Sequence, residues 1–140
     1  MSATFTNEGL QLINNSLGSF TGFANIGWKF ELYRNNYTPL VTSVLADFTL
    51  PANTGYGAFT GIGWTTGVSA GGVNTVTFGP KTWNFNANIL VETLYGWFFS
   101  VSISGVYKVV AANLLAAPFL IPPAPSSYVL TFSWTAQKLP

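Results

Sequence analysis

An all-β, single-domain antiparallel β-sandwich, Ig-like or jelly-roll-like, with one short N-terminal helix is the fold the sequence predicts. Three observations point to it. At 140 residues the chain is long enough for one core and too short for two, so one domain is expected over 1–140. Apolar residues recur with a period of two, as they do on a strand with one face turned inward. Glycine- and proline-bearing turns separate these runs at roughly ten-residue spacing, giving about seven or eight short strands that close as a sandwich or barrel.

The helix comes first. Thr6 or Asn7 can cap it, Glu8 lies near its positive end, and Leu10, Ile13 and Leu17 recur at helical spacing before Gly18 ends it. Trp28, Phe30 and Leu32 then alternate with Lys29, Glu31 and Tyr33, which predicts a strand with one apolar and one polar face. The polar stretch from Arg34 to Pro39 reads as a turn, and an irregular stretch leads to Gly55. A strand is expected from Tyr56 to Trp64, bent at Gly57, Gly61 and Gly63, followed by a turn at Gly71-Gly72. Two short strands, Val73 to Phe78 and Lys81 to Phe85, are expected on either side of Gly79-Pro80.

The longest alternation runs from Ile89 to Ser102, with both faces partly apolar. It predicts a central strand with one face in the core and the other covered by the helix or by another subunit. Ser104-Gly105 turns the chain into a strand from Val106 to Ala112. The last strand, Tyr128 to Gln137, should turn Tyr128, Leu130, Phe132, Trp134 and Ala136 inward.

Composition narrows the function. Charged residues make up 6% of the chain, against about 25% in ordinary soluble domains. A surface so poor in charge suits burial against a partner, because interface cores shed charged residues and gather aromatic ones. The net charge of +1, with five scattered basic residues, offers no field for nucleic acid. The apolar run from Val109 to Ile121 is interrupted by Asn113 and Pro118, so no transmembrane helix is expected. The amino terminus has no signal-peptide pattern, which implies synthesis in a cytoplasm. With no Cys and no His, disulfides and the usual ligands of zinc, copper and haem are missing, and no cofactor is expected.

Catalytic arrangements find little support. There is no His to activate a serine, and the acids are Glu8, Glu31, Asp47 and Glu92. Glu31 is expected to face solvent near Lys29 or Arg34, and Asp47 to act as a turn or cap acceptor. Glu92, on a mostly apolar strand face, must be paired, edge-exposed or functional, and pairing with a Lys is favoured. Gly57 to Gly63 lacks the Lys and Ser/Thr of a phosphate loop. Four tryptophans keep step with core residues, so burial accounts for them, and Trp83, in a polar stretch, is the one candidate for exposure.

The string Phe30-Glu31-Leu32-Tyr33-Arg34-Asn35-Asn36-Tyr37-Thr38-Pro39, with Leu45-Ala46-Asp47-Phe48-Thr49, Gly55-Tyr56 and Trp64, resembles small structural proteins of tailed bacteriophages. Thr93 to Phe98, Ala117-Pro118-Phe119 and the amino-terminal Phe5-Thr6-Asn7-Glu8-Gly9-Leu10 extend the resemblance over most of the chain. These are turn and strand residues, so the resemblance implies a fold and a place in a virion rather than an active site. It departs from the pattern in its low charge and in the apolar Leu114 to Ile121.

Composition and resemblance together lead to the expectation of a non-enzymatic virion protein made in the host cytoplasm. A capsid decoration or cement protein bound to the major capsid protein is favoured. A tail or fibre component and a carbohydrate-binding module are the alternatives. A homo-oligomer, most plausibly a trimer, is expected because closed symmetry covers apolar patches. The contact is placed in Ala111 to Ser127, on Leu114, Leu115, Phe119, Leu120 and Ile121. Apolar residues there follow no sustained period, and four prolines suit an edge strand or arm.

Overall fold

The computed structural model describes residues 3–11, 27–52, 56–60, 65–66, 73–85, 91–123 and 125–137, with backbone alone at 65–66, 73–79 and 132–137. The strands are β1 (Thr4–Phe5), β2 (Gly27–Tyr33), β3 (Phe59–Thr60), β4 (Thr65–Thr66), β5 (Val73–Phe85), β6 (Glu92–Ile103), β7 (Val106–Ile121) and β8 (Ser126–Gln137). They form a five-stranded antiparallel sheet, β1-β7-β6-β2-β3, and a three-stranded one, β4-β5-β8. The fold is all-β and sandwich-like, with one short helix, α1 (7–11), among the described residues.

The main core lies between the sheets. Phe30 of β2 stacks on Phe99 of β6 at 4.4 Å and meets Trp83 of β5 at 5.3 Å, so the aromatic residues of both sheets interdigitate. Trp83, the candidate for exposure, is 2% exposed and donates to the Gly57 carbonyl at 3.1 Å, so it is a core residue. Its polar neighbours Thr82 and Asn84 take the outward positions, which is the ordinary alternation of a strand.

Three bulges shape the sheets. In β5, Gly79-Pro80 makes a bulge within one strand rather than the break expected between two. In β7, Val110 is left over between the pairs Phe99–Ala111 and Ser100–Val109. Further along β7, the four residues from Leu115 to Pro118 stand opposite the single Tyr95, between the pairs Gly96–Leu114 and Leu94–Phe119. The alternation changes phase here, so Leu94 and Trp97 both point into the main core. This is why β7, expected to stop at Ala112, reaches Ile121 without a continuous period of two. The β6–β7 hairpin turns on Ser104-Gly105, both with positive φ (51° and 82°), as a two-residue loop of matching twist requires.

Helix α1 docks on the Val110 bulge. Thr6 is its cap: the Thr6 hydroxyl accepts from Gly9 N at 3.0 Å and donates to the Val109 carbonyl, and Thr6 N donates to the Val110 carbonyl at 3.1 Å. A Cβ on Gly9 would run into Val110 backbone, so only glycine permits this approach. Leu10, the first of the three apolar residues at helical spacing, is 47% exposed, and Ile13 and Leu17 lie outside the described residues.

Of the strand expected from Tyr56 to Trp64, positions 61–64 lie outside the described residues, and the described part is β3, which pairs with Lys29 and Phe30. Beyond it the Tyr56 hydroxyl takes the place of a strand partner, accepting from Leu32 N at 2.9 Å and donating to Leu32 O at 3.3 Å. In β8, Leu130 is buried while Val129 and Thr131 are exposed, as the alternation requires; the expected inward turn of Phe132, Trp134 and Ala136 lies outside the described side chains.

Candidate interaction surface

The loop from Arg34 to Ala52 packs on the second face of the five-stranded sheet, where the helix or another subunit was expected. Phe48 is its anchor. The Phe48 ring stacks on Phe98 of β6 at 4.7 Å and meets Tyr33 and Tyr37 edge-on at 5.1 and 5.4 Å. Each such aromatic pair adds about 0.5–1.5 kcal/mol beyond the burial of its area.

A long loop whose regular structure is limited to a 3-10 turn, Leu45–Asp47, is ordered only if its backbone groups find partners within it. Here side chains supply them. Asn35 bridges the loop, donating from Nδ2 to Asp47 O at 2.7 Å and accepting at Oδ1 from Thr49 N at 2.8 Å. Asp47 Oδ2 accepts from Val44 N at 2.9 Å, and the Tyr37 hydroxyl lies 2.8 Å from Ser43 Oγ, which in turn accepts from Leu40 N. Asp47 is thus a cap acceptor, as its sequence context suggests.

The neck of the loop is closed by charge. Arg34 Nε donates to Leu50 O at 3.0 Å, its guanidinium lies 3.2 Å from Glu92, and Glu92 also accepts from Ala52 N at 3.0 Å. The expectation that Glu92 is paired holds, with Arg34 as its ion-pair partner among the described residues where a Lys was favoured. Asn7 N of α1 donates to Val41 O at 2.6 Å and ties the loop to the amino-terminal segment.

With its polar groups turned inward on one another, the loop shows solvent its apolar side chains. Leu40, Val41, Val44, Leu45 and Leu50 are 38–54% exposed, half of the large exposed apolar residues among those described. Exposed apolar side chains clustered on an ordered loop are characteristic of contact surfaces.

The residues singled out from sequence fall elsewhere. Leu115 is 6% exposed and Ile121 is fully buried, so both belong to the domain's own core and are corrected from contact residues to core residues. Phe119 is half-buried, its ring 4.7 Å from Tyr128, and Leu114 is also half-buried. Leu120 alone of the five is exposed, at 58%. The segment pairs with β6 to its end instead of standing off as an arm.

Glu31 is also displaced from its expected place in solvent. It is 6% exposed on the loop-covered face, 3.5 Å from the Ser100 hydroxyl. Burial raises its carboxyl above the ordinary value, opposed by Lys29 and by the Ser100 hydrogen bond. Burial and the neighbouring Tyr37 likewise raise the Tyr33 hydroxyl, and burial raises that of Tyr56. Trp28, Trp83 and Trp97, the tryptophans with described side chains, are all buried, so none of the three offers a ring face for a sugar. Among the described residues, no three His, Cys, Asp or Glu cluster as metal ligands would.

Comparison of the chain with protein-family models, curated proteins and solved structures gave no match.

Proposed function

We propose that this chain is a non-enzymatic structural protein of a bacteriophage virion, made in the host cytoplasm. Its most concrete role is that of a decoration or cement protein bridging neighbouring capsid subunits. The observation that carries the assembly part is the rigid loop bearing Leu40, Val41, Val44, Leu45 and Leu50, in a chain with 6% charged residues. A preorganised apolar surface loses little entropy on docking and gains the burial of its side chains. The virion part rests on the resemblance of the Phe30–Pro39 and Leu45–Thr49 strings to small phage structural proteins. The physical task would be to add buried area across capsid seams, with the loop against the major capsid protein.

The test is mass spectrometry of purified particles before and after the tails are sheared off. The chain should remain with the heads. Loss with the tails would move it to the tail or fibre, and absence from the particles would overturn the proposal. Val41→Asp/Leu45→Asp should stay folded yet bind stripped heads more weakly, since both side chains are exposed.

A further inference from the structure

We infer that the outer edge of β8 pairs antiparallel with the same edge of a second copy of this chain, about a two-fold axis. Strand β8 binds β5 from Ser126 to Gln137, and among the described residues no strand lies beyond it. An open edge is a row of unpaired backbone donors and acceptors, and folded proteins blunt such edges with short strands, bulges, prolines or charges.

The other strand edges among the described residues are blunted in those ways. Strands β3 and β4 are two residues long, and the Tyr56 hydroxyl occupies the edge of β2 next to β3. Strand β7 is covered by β1 at Ala111 and Ala112 and is broken further on by the Leu115–Pro118 bulge, which contains a proline. Strand β8 has none of these devices. Its 12 residues include no proline and no charged side chain, and the bulge in its ladder with β5 belongs to β5.

The same facts name the partner. Two-fold pairing sets a strand against itself, so a charge near the axis is brought up against its own copy and like charges along the strand are drawn together. From Ser126 to Gln137 there is no such charge. The sheet face turned away from the core presents Val129, 54% exposed, and Thr131, also exposed. β-Branched residues of this kind make favourable cross-strand pairs. A three-fold ring would instead require β8 to meet a different edge of the next copy, and the described alternatives are too short or too irregular. The inference is thus a dimer, where the sequence favoured a trimer. This inference does not rest on the virion reading: a dimer missing from particles would sink that reading and leave this one standing.

The test is sedimentation of the full chain over a wide concentration range at neutral pH, for wild type, Val129→Lys/Thr131→Lys and the loop variant Leu45→Lys. Wild type and Leu45→Lys should be dimers. The β8 variant should dissociate about tenfold more readily or worse, and recover in high salt as its lysines are screened. Hydrogen exchange on wild type is the check that needs no variant: protection of alternate β8 amides should fall on dilution while β6 amides keep theirs. A monomeric wild type, β8 protection independent of concentration, or a folded β8 variant that dimerises as wild type does, would each overturn the inference.

Discussion

Replacing Phe48 with alanine tests whether the Arg34–Ala52 loop is held by its anchor or by its hydrogen bonds. The side chain is 7% exposed and in contact with three rings, those of Phe98, Tyr33 and Tyr37. Truncating a buried phenylalanine costs about 3–5 kcal/mol, the lower end applying where the surroundings can close in. One wall of this site is a loop free to settle, so about 3 kcal/mol is expected. That is a large share of the roughly 5–15 kcal/mol that holds a domain together, and corresponds to a fall of about 10 °C in Tm at this chain length. Urea unfolding should show a lower midpoint with an unchanged slope, and hydrogen exchange should show the Val44 and Thr49 amides losing protection. A loss below about 1 kcal/mol, with both amides as protected as in wild type, would refute the anchor and assign the loop's order to Asn35 and Asp47.

Glu31→Gln should raise Tm at neutral pH. The folded carboxyl is raised above 4.5, so its favourable contribution is full in acid and is lost as pH rises through the folded value. The variant's advantage should accordingly grow from about pH 4.5 upward in a thermal melt series and be absent in more acid solution. Gly96→Ala should cost about 3 kcal/mol or more in urea unfolding, because the new Cβ would meet the Asn113 carbonyl and the Tyr33 ring. Arg34→Met should cost about 1–2 kcal/mol, less than for a fully buried pair because Arg34 is 41% exposed, and Glu92→Gln/Arg34→Met should recover part of it. In an ultraviolet titration, Tyr33 and Tyr56 should stay protonated above pH 10, where ordinary tyrosines ionise, until the chain unfolds.

What was legible in the sequence was what local chemistry dictates. Strand β2, the Ser104-Gly105 hairpin, the Thr6 cap and the run of β8 followed from alternation and turn residues acting over a few positions. The end of β7 was obscured because the bulge from Leu115 to Pro118 breaks the alternation, leaving a core strand with the pattern of a loose arm. Leu115 and Ile121 were misplaced for that reason. The Arg34–Ala52 loop was out of reach in another way. Its order comes from side chain to backbone bonds, such as Asn35 to Asp47 and Thr49, that span 12 and 14 residues and leave no periodic trace. Glu31 is buried beside Ser100 of β6, which no reading of β2 alone reveals. The exposed loop residues did carry one signal: Leu40, Val41, Val44, Leu45 and Leu50 are as aperiodic as Leu114 to Ile121.

The docking of α1 on β7 has a consequence for how the molecule is made. Thr6 bonds to Val109 and Val110, 103 and 104 positions away, and Glu8 pairs with Lys108 at a distance of 100. Contacts of such sequence separation are slow to form, since the intervening chain must be brought to order before they repay it. On a ribosome adding about 5–20 residues per second, the amino-terminal segment emerges roughly 5–20 s before its partner exists. Throughout that interval it has no sheet to join. Its addition to β7 is thus a late step, and until it happens Ala111 and Ala112 keep open backbone groups to which another nascent chain could add.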